Sequence, residues 1–411
     1  MSARPYDGRA MQNDRPDIEG HRPMKPSASV GNVGETYASW MGETFGRLFS
    51  EKRDAVSMLA SSVSEPLALL RSLAAKNFTG ELTPCYQMVI VGNNKCLSRA
   101  LSKRYGAPEE NILCTTGVMA GLSFLYRVLL NPGERVLVEE PGFDIFWDFA
   151  TAMGVGVDFF QRSAPSFQVD PDVVLARITP KTRMIVLSNL HNPSGAMLSE
   201  DVIARLAKGA QAKNVIVVVD EVYRDYAEID GAKTPAQASA PNIVRLNSLT
   251  KTYGLSSLRC GWIIADLEVM EVLRRAYFKF EFNNSKLTHA LAAQLLSASD
   301  EFDAHVRNEI GRSRKVAIDG FGDMRARGLL EFEMPDYGCI FFPKIVGVKN
   351  TRRLAEWLVS EKGLYTVPGE FYRGAGFLRL GFAIEPATLE RAITRLSEGL
   401  EQYRRVRTHD E

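Results

Sequence analysis

Residues able to share one piece of chemistry crowd into a single stretch, SLTKTYGLSSLRCGW, from Ser248 to Trp262. Lys251 stands among hydroxyls, and Arg259 follows eight residues later, just before an apolar run, GWIIA. A lysine in that company is badly placed for surface ion pairs and well placed beside a phosphate. Ser248 and Arg259 suit such an anion, the arginine through its planar fork. An amine whose pKa is lowered also forms a Schiff base with an aldehyde.

Four other short stretches carry polar residues at the ends of apolar runs. VIVVVDEVY closes on Asp220, with Tyr223 three residues on. A carboxylate that close to a core needs a cation or a cap role. Asp220 therefore reads either as a helix N-cap or as an anion facing a protonated ring nitrogen. MIVLSN runs into HNPSG, a tight turn that offers Asn192 to a ligand oxygen. His191 in that turn reads as a packed or capping histidine. ILCTT ends in Thr116 and Gly117 and opens a helix whose first residues are Val118 and Met119. A glycine there lets backbone approach an anion, and the free N–H groups of the helix start then face it. Neither GxGxxG nor GxxxxGK[ST] spacing occurs at this turn, which disfavours a dinucleotide or Walker-type site. Phe143 follows a Pro-Gly turn and reads equally as core or as a ring stacked on a flat ligand. A lysine for an aldehyde, a carboxylate for a ring nitrogen and a phosphate cup match the needs of pyridoxal phosphate.

The elements that must position these residues alternate strand and helix from about residue 110. Strands are expected at 112–116, 135–140, 184–189, 215–221, 243–248 and 261–265. Several are apolar at consecutive positions, so both faces are covered, as in a parallel sheet within an α/β layer. Helices are expected over 118–130 and 199–212. Ligands of such sheets bind at the carboxyl ends of the strands. The fold class is thus α/β, a mostly parallel sheet between helices, with a smaller α+β unit. The expected division is a flexible arm over 1–30, a large domain over 76–290, and a small domain from 31–75 with 291–411. The segment 35–75 reads as helical, and no element is read within 76–100.

Composition agrees with a globular enzyme of 411 residues, 50 Lys+Arg against 49 Asp+Glu and a formal charge of +1. That balance gives no basic footprint for nucleic acid and no attraction to an anionic membrane. No apolar run has the length of a membrane span. Five scattered cysteines without a CxxC pair suit a reduced, cytoplasmic protein and argue against disulfides and a structural zinc site. No metal is expected.

Read in order, TTGVMAGL, EPGFDIF, HNPSG, DEVY, SLTKTYGLSSLRCGW, VPGEFY and FLRLGFA resemble the class I/II aminotransferases, pyridoxal-phosphate enzymes of fold type I. The resemblance spans roughly residues 80 to 400. It implies an internal aldimine at Lys251 and a phosphate bound by Arg259, Ser248 and the Gly117 loop. It pairs Asp220 with the pyridine nitrogen and Asn192 and Tyr223 with the ring hydroxyl. Phe143 would stack on the ring, and Arg379 in FLRLGFA would fork the substrate's α-carboxylate. The implied reaction moves an amino group between an amino acid and a 2-oxo acid in ping-pong halves, on a homodimer with its active site at the interface. A β-lyase, racemase, decarboxylase or cyclising enzyme shares this residue set, and a regulator that keeps the domain without catalysis is a further alternative. Two places depart from the pattern. Tyr86, in CYQMVIVGNN, is a candidate for the partner subunit's phosphate without matching spacing. Phe278, Phe280 and Phe282 alternate, so an extended stretch would put their rings on one face, as core, interface or substrate contact.

Overall fold

A computed structural model describes residues 35–50, 54–78, 83–86, 93–231, 240–280 and 284–410. The arm expected over 1–30, Phe282 and Gly92 lie outside the described residues. Among the described residues the central sheet has seven strands. They are β1 (Ile112–Thr115), β2 (Arg135–Glu140), β3 (Gly156–Gln161), β4 (Thr182–Ser188), β5 (Ile216–Asp220), β6 (Ile243–Ser248) and β7 (Gly261–Ala265). Their spatial order is β1-β7-β6-β5-β4-β2-β3. β7 runs antiparallel to both of its neighbours, β1 and β6. The pairs β2–β3, β2–β4, β4–β5 and β5–β6 are parallel. The interior strands bury residues on both faces, as their unbroken apolar runs require. β3 was not among the expected strands. Its sequence, GVDFFQ, has no continuous apolar run, because it lies at the sheet's edge and is half-covered.

Register aligns the carboxyl ends that matter. Ser188 lies opposite Asp220, Asp220 opposite Leu246, and Gly261 opposite both Ser248 and Thr115. Neighbouring strands are roughly 4.8 Å apart, so these ends form one short row. The helix Glu200–Gln211 starts as expected, with the Ser199 hydroxyl accepting from the Val202 amide.

A second apolar core lies beyond the sheet. It holds Phe321, Phe341, Leu358, Leu380 and Leu396, under a small antiparallel sheet of Ile340–Phe341, Leu378–Gly381 and Val367–Pro368. The expected break near residue 290 cuts across the packing. Helix Lys286–Ser297 buries Ala292, Ala293 and Leu295 in the cluster that contains Trp262 of β7. The next helix, Asp300–Ala326, bridges both cores: Phe302, Val306 and Ile310 join the sheet's cluster, and Ala317, Phe321 and Met324 join the second.

Two other expectations need correction. The segment 35–75 is not one helix. Helices Tyr37–Ser50 and Leu67–Phe78 flank a non-helical strap whose residues Val56–Ser57 pair with Leu364–Tyr365. Val56 and Met58 sit in the second core, while helix Leu67–Phe78 packs on the sheet's side. Cysteines 85 and 96 form a disulfide, against the expectation of none, with Cα atoms 5.5 Å apart. Asn94 brings them together: its Nδ2 donates to the Cys85 carbonyl at 2.8 Å while its Oδ1 caps the helix that starts at Lys95. A local cap of that kind leaves no CxxC signature. Cys114, Cys260 and Cys339 are free and buried. No described helix is long and apolar enough to cross a membrane.

Candidate active site

The site begins at the turn between β1 and the helix Val118–Leu129. Gly117 takes φ 99° at the helix start and supplies no side-chain cap, so no side-chain acceptor occupies the first-turn amides. The Arg259 guanidinium covers that turn. Its Nη2 donates to the Thr116 carbonyl at 3.1 Å, and a Cβ added at Gly117 would lie 2.9 Å from the same atom. Gly261 is constrained in turn, since its Cβ would meet Gly117 at 2.8 Å. Only glycine at both positions lets β1, β7 and the arginine approach so closely. Ser248 is buried at the end of β6, with its Oγ near the Thr250 amide at 3.3 Å. Val118 is half-buried and Met119 exposed at the rim. Amides, a guanidinium and a hydroxyl converge here as an anion cup.

Asp220 ends β5 and is buried. One of its oxygens accepts from the Val222 amide at 3.1 Å. Burial pushes its carboxyl up to about 7; the Val222 contact opposes this, and Glu139 and Glu221 add to it. The turn after β4 is tied to it, the Asn189 amide donating to the Asp220 carbonyl at 2.8 Å. Asn192 in that turn is buried with its Oδ1 lacking a partner, and the Tyr223 hydroxyl is also buried without one. Buried polar atoms rarely stay unpaired without cause. Burial also raises the Tyr223 phenol, so it is held as a donor.

Lys251 lies between this group and Arg379. Burial first, and then the positive charge of Arg379, lower its amine to about 8, against the opposing pull of Cys339 and Asp220. Its Nζ donates to the Ser61 hydroxyl at 2.7 Å. Arg379 is buried, with its Nη2 on the Leu59 carbonyl at 2.8 Å and its Nε unpartnered. The rings of Tyr37 and Tyr372 lie 5.4 and 5.7 Å from its guanidinium carbon. Phe143 is half-buried and meets Tyr37 edge-on at 6.0 Å.

The structure thus gathers Thr116, Gly117 and Arg259 at the cup and Asp220, Lys251, Tyr223 and Arg379 beside it. Tyr86 is 37% exposed, next in sequence to the Cys85–Cys96 bridge. The phenylalanine alternation is not an extended face. Phe278 and Phe280 lie in the helix Leu267–Phe280, where a spacing of two turns side chains to different sides. Phe280 meets Phe124 edge-on, and both Phe278 and Phe280 are largely exposed. His191 is structural, as expected: its Nδ1 pairs with the Ser194 hydroxyl at 2.6 Å and its Nε2 with the Pro141 carbonyl at 2.9 Å. Sequence reasoning missed Ser61, Tyr37, Tyr372 and Cys339. All four come from segments distant in sequence from the lysine; Tyr372 closes the VPGEFY motif, and the other three carry no local signature.

Pyridoxal phosphate fits these residues. The cup suits its phosphate, the unpaired Asn192 and Tyr223 atoms suit its ring hydroxyl, Asp220 suits its ring nitrogen, and Lys251 suits its aldehyde. Comparison with known proteins agrees. Aspartate aminotransferase of Pyrococcus horikoshii is 25% identical over 299 residues, covering 71% of this chain and 76% of that protein. Histidinol-phosphate aminotransferase of Moorella thermoacetica is 28% identical over 296 residues, covering 70% and 72%. A solved single mutant of Thermus thermophilus aspartate aminotransferase superposes with a TM-score of 0.80 at 21% identity, over 92% of this chain and all of that one. The model of the family "Aminotransferase class I and II" matches residues 90–396. The chain belongs to that family and is a pyridoxal-phosphate-dependent aminotransferase.

Proposed function

We propose that Lys251 is the catalytic amine, and that the substrates are an α-amino acid and a 2-oxo acid whose carboxylates are gripped by Arg379. The observation that carries this is the half-buried Lys251 set between the buried Asp220 carboxylate and the buried Arg379 guanidinium, with its amine lowered to about 8. An amine in that range gives and takes protons near neutral pH. When bound, pyridoxal phosphate supplies the aldehyde that captures the amine and a ring that withdraws electrons from the substrate's Cα. Asp220 holds a proton on the ring nitrogen. Asn192 and Tyr223 hold the ring hydroxyl, and the Gly117 turn, Ser248 and Arg259 hold the phosphate. Phe143 would lie against the ring. Arg379 would hold the substrate carboxylate, a positioning task. Lys251 then carries the proton as base and acid.

We further infer a homodimer. Its support is apolar side chains left exposed in the single chain, Met119 at the cup, 40% accessible, and Phe278 on the helix Leu267–Phe280, 58% accessible. Tyr86 is the candidate for reaching the partner's phosphate. The Cys85–Cys96 bridge removes the cysteine argument for a cytoplasmic compartment, and the three buried free thiols favour no compartment. The direct test of the amine is mass spectrometry after borohydride reduction of the cofactor-loaded protein. Cofactor mass on the Lys251 peptide is the expected result, and mass on another lysine overturns the assignment.

A further inference from the structure

Ser61 lies on the strap that crosses from the second core to the sheet. Met58 is bonded to the second core, its amide to the Tyr365 carbonyl at 2.9 Å and its carbonyl to the Gly381 amide at 2.8 Å. One residue on, the Leu59 carbonyl takes Arg379. At the other end, the Val63 amide donates to the Tyr226 hydroxyl at 3.1 Å, and that hydroxyl donates to the backbone carbonyl of Lys251 at 2.7 Å. Two glycines make room for the strap. A Cβ at Gly381 would collide with the Ala60 carbonyl, and one at Gly254 would lie 2.6 Å from the Val63 carbonyl. The strap is therefore fixed at both ends, and Ser61 faces the site from its middle. The Ser61 hydroxyl accepts from Lys251 and lies beside the buried hydroxyl of Tyr223.

We propose that Ser61 is a positioning residue for Lys251: its hydroxyl holds the lysine amine whenever that amine is free of the cofactor. This rests on Lys251 being the catalytic amine. Cofactor capture forms an Nζ–C bond with the aldehyde and releases water, so it draws the amine off Ser61. Each release of the amine returns it to the same oxygen, two residues along a fixed strap from the Arg379 contact. The hold keeps the proton-carrying amine in reach of substrate rather than free to swing. A hydroxyl acceptor also favours the ammonium over the amine. The other charged or titratable groups around Lys251 are Asp220, Tyr223 and Cys339, with Arg379 and Arg259.

The test is the pH dependence of pyridoxal phosphate capture by the cofactor-free full chain, followed by visible absorbance and by borohydride trapping on the Lys251 peptide. Capture needs the neutral amine. Ser61→Ala should move the midpoint down by about one pH unit, the size of a hydrogen bond to a charged group. Ser61→Thr, which keeps the hydroxyl, should restore it. In turnover Ser61→Ala should lower kcat by about tenfold and leave KM nearly unchanged, because the Leu59 contact to Arg379 is backbone. An unchanged midpoint in Ser61→Ala, or an equal shift in Ser61→Thr, overturns the proposal. If the parent chain traps cofactor on a residue other than Lys251, the reading of the site fails instead, and the two failures are separate observations.

Discussion

At the residue scale, the site is a set of charges held against their solvation preferences. Lys251→Ala should abolish cofactor trapping and reduce turnover by about a thousandfold or more, measured with amino donor and oxo acid at saturation. Asp220 makes a pH prediction in the cofactor-free protein. Its folded pKa of about 7 exceeds the ordinary 3.8. Between those values the native state holds a proton that the unfolded chain has lost, so this group's contribution to stability falls as pH rises through the window. Asp220→Asn should flatten that fall, read as melting temperature from pH 4 to 7; an identical slope in parent and variant would contradict the burial argument. Arg379→Ala should raise KM for the amino acid far more than it weakens cofactor affinity, by roughly 2–3 kcal/mol if a bidentate charged contact is lost. Comparable losses in both would remove its carboxylate role.

At the element scale, the strand ends and their loops carry the geometry, and most of that was legible in the sequence. Consecutive apolar residues announced β4, β5 and β6, and hydroxyls, an aspartate and glycines marked their ends. What stayed illegible was set by distant contacts. The edge strand β3 lacks a two-faced apolar run. The strap at 54–66 falls inside the stretch expected to be helical, because its course is set by Tyr365, Gly381 and Tyr226 and not by its own periodicity. Ser61 was invisible for the same reason, and so was a disulfide formed around the Asn94 cap. The Gly117 turn offers an element-scale test. Gly117→Ala places a side chain at φ 99° and against Arg259. Backbone strain of about 1–3 kcal/mol and a displaced guanidinium should weaken pyridoxal phosphate binding by at least about tenfold, as titrated by fluorescence quenching, while the unliganded fold survives by circular dichroism. Unchanged affinity would mean that the cup lies elsewhere.

At the scale of the whole molecule, two cores meet along the strap and the helix Asp300–Ala326, and the site lies where they join. Sedimentation of the purified chain should give the mass of two copies, and a monomer that turns over at full rate would exclude a shared site. The account's central claim concerns one lysine and one exchange of an amino group. The measurement that reaches it most directly is the visible spectrum of the cofactor-loaded enzyme, taken before and after a mixture of amino acids and again after a 2-oxo acid. The account predicts that the absorbance of lysine-bound cofactor is lost with amino acid, with release of the matching oxo acid, and returns when a 2-oxo acid is supplied. Absorbance that persists through both additions, or a loss that no oxo acid reverses, would contradict it.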